Sequence, residues 1–160
     1  MRGRFSVGQG GGNFSEGVVP IYFPIDIGVK FDCARSDLLH IDWNENALAA
    51  IFSLPDDTRD VRIRFEGATI IRVLDEFALS TEIDVSEVEG LVPHHFAYRV
   101  EGSTFAATQS KVWMETFGPV THYEFITGSG CLDVLSCHEP SYDVMPGAKL
   151  FIVRDASNTV

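Results

Sequence analysis

The stretch THYEFITGSGCLDVLSC, residues 121–137, decides the fold. Two runs rich in aromatic and aliphatic residues flank Gly128-Ser129-Gly130, the composition of a β-hairpin. A two-residue type II′ loop at Gly128-Ser129, glycine first, sets Phe125 opposite Leu132 and Tyr123 opposite Val134. That register makes one coherent apolar face. The other face then carries His122 and Glu124 on the first strand, with Asp133 directly opposite Glu124. Opposed carboxylates stand ~5 Å apart and repel, so the pair requires a proton, a cation or an arginine between them. His122, Glu124 and Asp133 are therefore the candidate catalytic residues, as an acid–base or metal cluster. A solvated polar face is the alternative, and a slip of one residue would separate the three groups.

The end of this hairpin, Cys131 to Pro140, gathers two cysteines, a histidine and two acids. Strand geometry argues against a shared site for the thiols. At ~3.3 Å per residue, Cys131 and Cys137 stand ~20 Å apart. A disulfide needs Cα atoms within ~7 Å, and two thiolates on one zinc must each lie ~2.3 Å from the metal. Cys137 and His138 remain as metal candidates only if Pro140 breaks the alternation of the strand. Neither a Cys-x-x-Cys nor a His-Glu-x-x-His motif is present, so no metal and no cofactor is called for.

Working outward, the chain reads as mostly β, an α+β antiparallel sheet or sandwich with one or two helices. The segment from Val18 to Pro24 suits an edge strand because prolines bracket it. Runs at 38–43 and 47–54 flank Asn44-Glu45-Asn46, a hairpin turn, and Pro55-Asp56-Asp57-Thr58 is a second turn. Val61, Ile63 and Phe65 alternate strictly with Arg62 and Arg64. A three-residue loop at Glu66-Gly67-Ala68 would pair Phe65 with Thr69, Ile63 with Ile71 and Val61 with Val73. The main helix is expected over 103–117, where Phe105, Gln109, Val112, Trp113 and Thr116 fall at helical spacing and Gly118-Pro119 ends it. A last strand is expected at 148–153. The globular domain spans 18–154, with a flexible glycine-rich tail at 1–17 and a polar tail at 155–160. No internal repeat or linker divides it.

Three further groups of residues carry charge. Residues 75–93 hold Asp75, Glu76, Glu82, Asp84, Glu87 and Glu89 without a lysine or arginine, a negative surface suited to partner binding. Arg59, Arg62, Arg64 and Arg72 form the basic cluster, an anion pocket or a set of ion pairs on a solvated face. In the register above, Arg72 would sit across from Arg62. His94 and His95 lie at a loop–strand junction, where histidine titration could make the loop pH-sensitive.

The chain has 160 residues, 45% hydrophobic and 22% charged, which suits one domain with a core of its own. A formal net charge of −11 repels phosphate backbones and anionic lipid, so neither nucleic acid nor a membrane surface is expected as partner. A basic protein is favoured instead. Three cysteines without framework spacing, and no apolar leader after Met1, point to a cytoplasmic protein with free thiols. No nucleophile elbow or phosphate loop is present, and the sequence leans away from an enzyme. The reading is a non-enzymatic protein-binding module, similar to bacterial immunity proteins in bulk character only. The alternative is a small ligand-binding or metal-dependent enzyme domain with a pocket on a curved β-sheet. There the aromatics Phe96, Tyr98, Phe105, Trp113, Tyr123 and Phe125 would line a cavity. Oligomeric state is open to the sequence.

Overall fold

The computed structural model describes residues 19–55, 58–82 and 88–147. Its strands are β1 (Ile21–Pro24), β2 (Leu38–Asn44), β3 (Ala47–Ser53), β4 (Arg59–Glu66), β5 (Thr69–Asp75), β6 (Ala97–Glu101), β7 (Thr121–Phe125), β8 (Gly130–Ser136) and β9 (Ser141–Pro146). Three short helices accompany them, α1 (Glu76–Glu82), α2 (Thr104–Ala107) and α3 (Lys111–Phe117). A five-stranded sheet runs β1-β6-β7-β8-β5 and a four-stranded sheet runs β2-β3-β4-β9. Every strand pair is antiparallel. The fold is thus mostly β, as the alternation of the strands implies.

The two sheets bury a shared aromatic core. Phe52 from β3, Ile63 and Phe65 from β4, Phe96 before β6, Phe125 from β7 and Leu132 and Val134 from β8 are all essentially inaccessible. Phe96 packs edge-on against Phe52 and is tilted against Phe125. The sequence alternation of β4 holds, with Val61, Ile63 and Phe65 turned inward while Arg62 is half-buried and Arg64 exposed. Tight turns fix the remaining register. The Asn44 side-chain oxygen accepts from the backbone N–H of Asn46 and of Ala47 and closes the β2–β3 hairpin.

The β7–β8 register matches the sequence reading: Tyr123 opposes Val134, Glu124 opposes Asp133 and Phe125 opposes Leu132. Its loop is built differently. Gly128 does not adopt a left-handed φ, so the turn is not type II′. Instead the Thr127 hydroxyl accepts from the N–H of Ser129 and of Gly130 and donates to the Gly130 carbonyl. Gly128 is still required, because a Cβ there would sit 2.8 Å from the Ala34 carbonyl oxygen.

The expected β4–β5 hairpin does not form. The chain crosses from one sheet to the other at Gly67, whose φ of +76 suits glycine. β4 is flanked by β3 and β9, and β5 pairs with β8. Phe65, Ile63 and Val61 therefore oppose Leu48, Ala50 and Phe52, not Thr69, Ile71 and Val73. The reason lies in β5, which carries apolar residues at both parities (Ile70, Ile71, Val73, Leu74) and so does not fix its own partner. The helix expected over 103–117 is two helices, each capped by a serine. The Ser103 hydroxyl accepts from the N–H of Ala106, and the Ser110 hydroxyl from the N–H of Trp113. The acidic connection contains α1, and β9 is a strand that the sequence reading did not assign. The strand expected at 148–153 and both expected tails lie outside the described residues.

β1 is an edge strand within its sheet, but its free side is partly covered. Tyr22 donates its backbone N–H to the Glu89 carbonyl at 2.8 Å, and Glu89 donates to Pro20 at 3.1 Å. Gly90, with φ +84, makes this approach possible, since a Cβ there would lie 2.0 Å from the Tyr22 carbonyl oxygen. Gly90→Ala is expected to cost about 3 kcal/mol or more, combining a backbone clash with a strained φ. A urea midpoint equal to that of the wild type would show that the 88–91 segment does not hold β1.

Candidate acid–base site

The candidate site lies on the outer face of the five-stranded sheet, away from the aromatic core. Side chains alternate along each strand, so one row across the sheet carries Tyr98 on β6, Glu124 on β7, Asp133 on β8 and Arg72 on β5. His122 lies in the next row, opposite Val100 and Leu135. This face is not solvated. His122, Glu124 and Asp133 are 4%, 3% and 2% exposed, which removes the solvated-face alternative. Tyr22, Tyr98 and Val100 form a second small apolar cluster on the same face, packed by Val88, Leu91 and Ile126.

The hydrogen-bond chain begins at the surface and runs inward. Glu82 on α1 pairs with Arg72 Nη1 at 2.8 Å, and Arg72 Nε donates to Asp133 Oδ2 at 2.7 Å. Asp133 Oδ1 lies 3.0 Å from His122 Nε2. A carboxylate only accepts, so it assigns the hydrogen to Nε2. Phe105 from α2 stands edge-on to the His122 ring, and the Arg72 guanidinium lies over Phe105, 4.7 Å from its centre. Glu124 is held from the other side by Tyr22, whose hydroxyl donates to Oε2 at 3.3 Å.

Electrostatics separates the two carboxyl groups. Burial, and next the neighbouring Asp133 charge, push the Glu124 carboxyl up to about 8, so it is protonated at neutral pH. Burial and then Glu124 push the Tyr22 phenol well above its ordinary value. Burial alone would lower the Arg72 pKa, but Asp133 and Glu82 outweigh it and hold the guanidinium above its usual value. An arginine on Asp133 and a proton on Glu124 thus both relieve the repulsion that the register imposes. Two buried polar atoms, Glu124 Oε1 and His122 Nδ1, have no hydrogen-bond partner among the described residues.

His122, Glu124 and Asp133 each offer a ligand atom within 4.8 Å of the others, close to the span a divalent ion would need. The Arg72 guanidinium already supplies a positive charge at Asp133, which favours proton chemistry over a second cation there.

The other expected site residues are dispersed. Arg72 lies on a different sheet from Arg59, Arg62 and Arg64, so it faces Asp133 and not Arg62, which pairs with Asp143 at 3.0 Å. Cys137 is half-buried, and exposed His138 packs against Gly67, where a Cβ would meet its ring at 3.1 Å. All three cysteines are free, and burial pushes the Cys131 thiol up to about 11. His94 is exposed, has φ +62 and faces Asp32 at 3.4 Å, whereas His95 bonds the Ala97 carbonyl. Asp75, Glu76, Glu82 and Glu89 are exposed, while Asp84 and Glu87 lie outside the described residues. Of the aromatics expected in a cavity, Phe96, Tyr123 and Phe125 belong to the core, Tyr98 stands beside Glu124 in the same row, and Phe105 packs on His122.

Sequence reasoning missed Tyr22 as part of this site, named Phe105 only as one of six cavity aromatics, and misplaced Arg72. No signal in the sequence marks Tyr22. For Arg72 the signal was the carboxylate repulsion itself, which demanded a cation. No helix among the described residues is long and apolar enough to cross a membrane. The chain matches no family model, no curated protein and no solved structure with which it was compared.

Proposed function

We propose that the protein is a small ligand-binding or enzymatic domain whose centre moves a proton. The observation that carries this reading is the pair of buried, unpartnered atoms, His122 Nδ1 and Glu124 Oε1. The imidazole donates from Nε2 to Asp133, and its unpartnered Nδ1 is the proton acceptor of the proposed step. A protonated Glu124 that accepts from Tyr22 at Oε2 carries its proton on Oε1 as an acid. Base and acid beside each other suit a small molecule with a carbonyl or imine next to an exchangeable proton. His122 takes one proton from the ligand and Glu124 gives one back elsewhere on it. Return of the proton from His122 to Glu124 resets the site, so the ligand leaves as its tautomer. Asp133 and Arg72 position the imidazole, and Phe105 on the four-residue α2 is the cover that must swing aside.

The test is native mass spectrometry of the protein after incubation with a small-molecule extract. The wild type is expected to retain a ligand that His122→Ala and Glu124→Gln release while their circular dichroism stays unchanged. A wild type that stays bare, or variants that retain the ligand, would overturn the reading.

A second reading, a module that binds a basic protein, is supported by Phe77 on α1. It is 73% exposed and flanked by exposed Asp75 and Glu76. An apolar anchor inside an acidic rim suits a basic partner, with acids setting the on-rate and the aromatic the affinity. Pull-down of a basic partner that Phe77→Ala abolishes and that survives Glu124→Gln would favour this reading over the first.

A further inference from the structure

A separate cavity of about 240 Å³ opens on the inner side of the five-stranded sheet, between the edge strands β1 and β9. Phe23, Arg99 and Tyr123 stand in one row across β1, β6 and β7 and form one wall. Tyr142 on β9, with Glu139 and Pro140 before it, forms the other. The charges on these walls do not balance. Arg99 is paired with Glu101 on its own strand, and its guanidinium rests on the Phe23 ring, 4.3 Å from the centre. Glu139 has no ion-pair partner among the described residues. The Tyr142 hydroxyl is buried and likewise without a partner there. Burial, and next the Glu139 charge, push the Tyr123 phenol above its ordinary value against the opposing pull of Arg99, so both wall charges act at this ring.

A volume of this size holds a ligand of one ring or a few carbons. The unmatched carboxylate beside two tyrosine rings is a setting for a positive charge, since aromatic faces and an anion attract the same kind of group. We propose that this cavity binds a small organic cation, an amine or quaternary ammonium, with Glu139 as its counter-ion and Tyr123 and Tyr142 as its aromatic walls. The Tyr142 hydroxyl accepts a hydrogen bond where the cation carries an N–H.

The experiment is a choline titration followed on the ring resonances of Tyr123 and Tyr142. A neutral isostere, with a tert-butyl group in place of the trimethylammonium, serves as the comparison. Choline is expected to give saturable shifts, and the isostere to bind about tenfold more weakly or worse. Glu139→Gln, an exposed position, is expected to weaken choline about tenfold and leave the isostere unchanged. The proposal is overturned if choline gives no saturable shift, if the isostere binds equally well, or if Glu139→Gln changes nothing. Preferential binding of benzoate, which would make Arg99 the anchor, also overturns it.

Discussion

Replacing Glu124 by glutamine is expected to stabilise the protein in mildly alkaline solution and leave its stability near pH 5 almost unchanged. In the folded protein the Glu124 carboxyl holds its proton up to about 8, whereas the ordinary value is 4.5. Between those values the folded state binds more protons than the unfolded state, so stability falls as pH rises through the window. Below about 4.5 the group is protonated in both states and its contribution is fully present. Above about 8 it is ionised in both and the loss is complete. Each pKa unit is worth about 1.4 kcal/mol, so the wild type should lose about 3–5 kcal/mol across the window. Glutamine keeps the shape and carries no charge, so that slope should vanish. The measurement is urea denaturation of both proteins at steps across this range. Parallel stability curves would show that Glu124 is ionised in the folded protein and would remove the acid from the proposed acid–base pair.

Removing Asp133 should cost more than removing a surface acid, because His122 stays buried and Arg72 partly buried without it. Asp133→Asn leaves Arg72, half-covered beneath Phe105, paired only with the exposed Glu82. Breaking such a pair costs about 3–5 kcal/mol, whereas replacing the whole pair with apolar residues is often neutral. Asp133→Asn and Arg72→Met should therefore each be strongly destabilising, and Arg72→Met with Asp133→Leu should recover much of the loss. Asp133→Asn should also move the Glu124 window downward, because the Asp133 charge is a cause of the raised value. Additive costs in the double variant would mean that the two residues act independently.

The register of this cluster was legible in the sequence and its surroundings were not. Tyr123, Phe125, Leu132 and Val134 fall on one face only if Glu124 meets Asp133, so period-two alternation suffices to place the two acids together. Alternation says nothing of what covers the opposite face. Tyr22, Glu82 and Phe105 reach the cluster from β1, α1 and α2, each remote in sequence. One local signal did exist. In Leu132-Asp133-Val134-Leu135 the acid sits in a run that is apolar at both parities, the mark of a strand buried on both sides. The same mixed parity in β5 concealed its partner, and Arg72 with it. The helix break was readable at Ser110, a capping residue three places before Trp113.

The crossing at Gly67 also bears on how the chain reaches its native state. β2, β3 and β4 are consecutive in the chain and neighbours in the sheet, a meander that can zip from local contacts alone. β5, the next strand in the chain, finds its partner only in β8, after β6, α2, α3 and β7 have been made. β1 must wait in the same way for β6, and β4 for β9. Closing such long loops carries an entropic cost before any contact rewards it. The buried polar cluster joins Arg72 of β5 to Asp133 of β8 and Tyr22 of β1 to Glu124 of β7, so it completes late. A slow kinetic phase that reports on Glu124 burial, following fast formation of the β2–β4 meander, is the folding signature this topology implies.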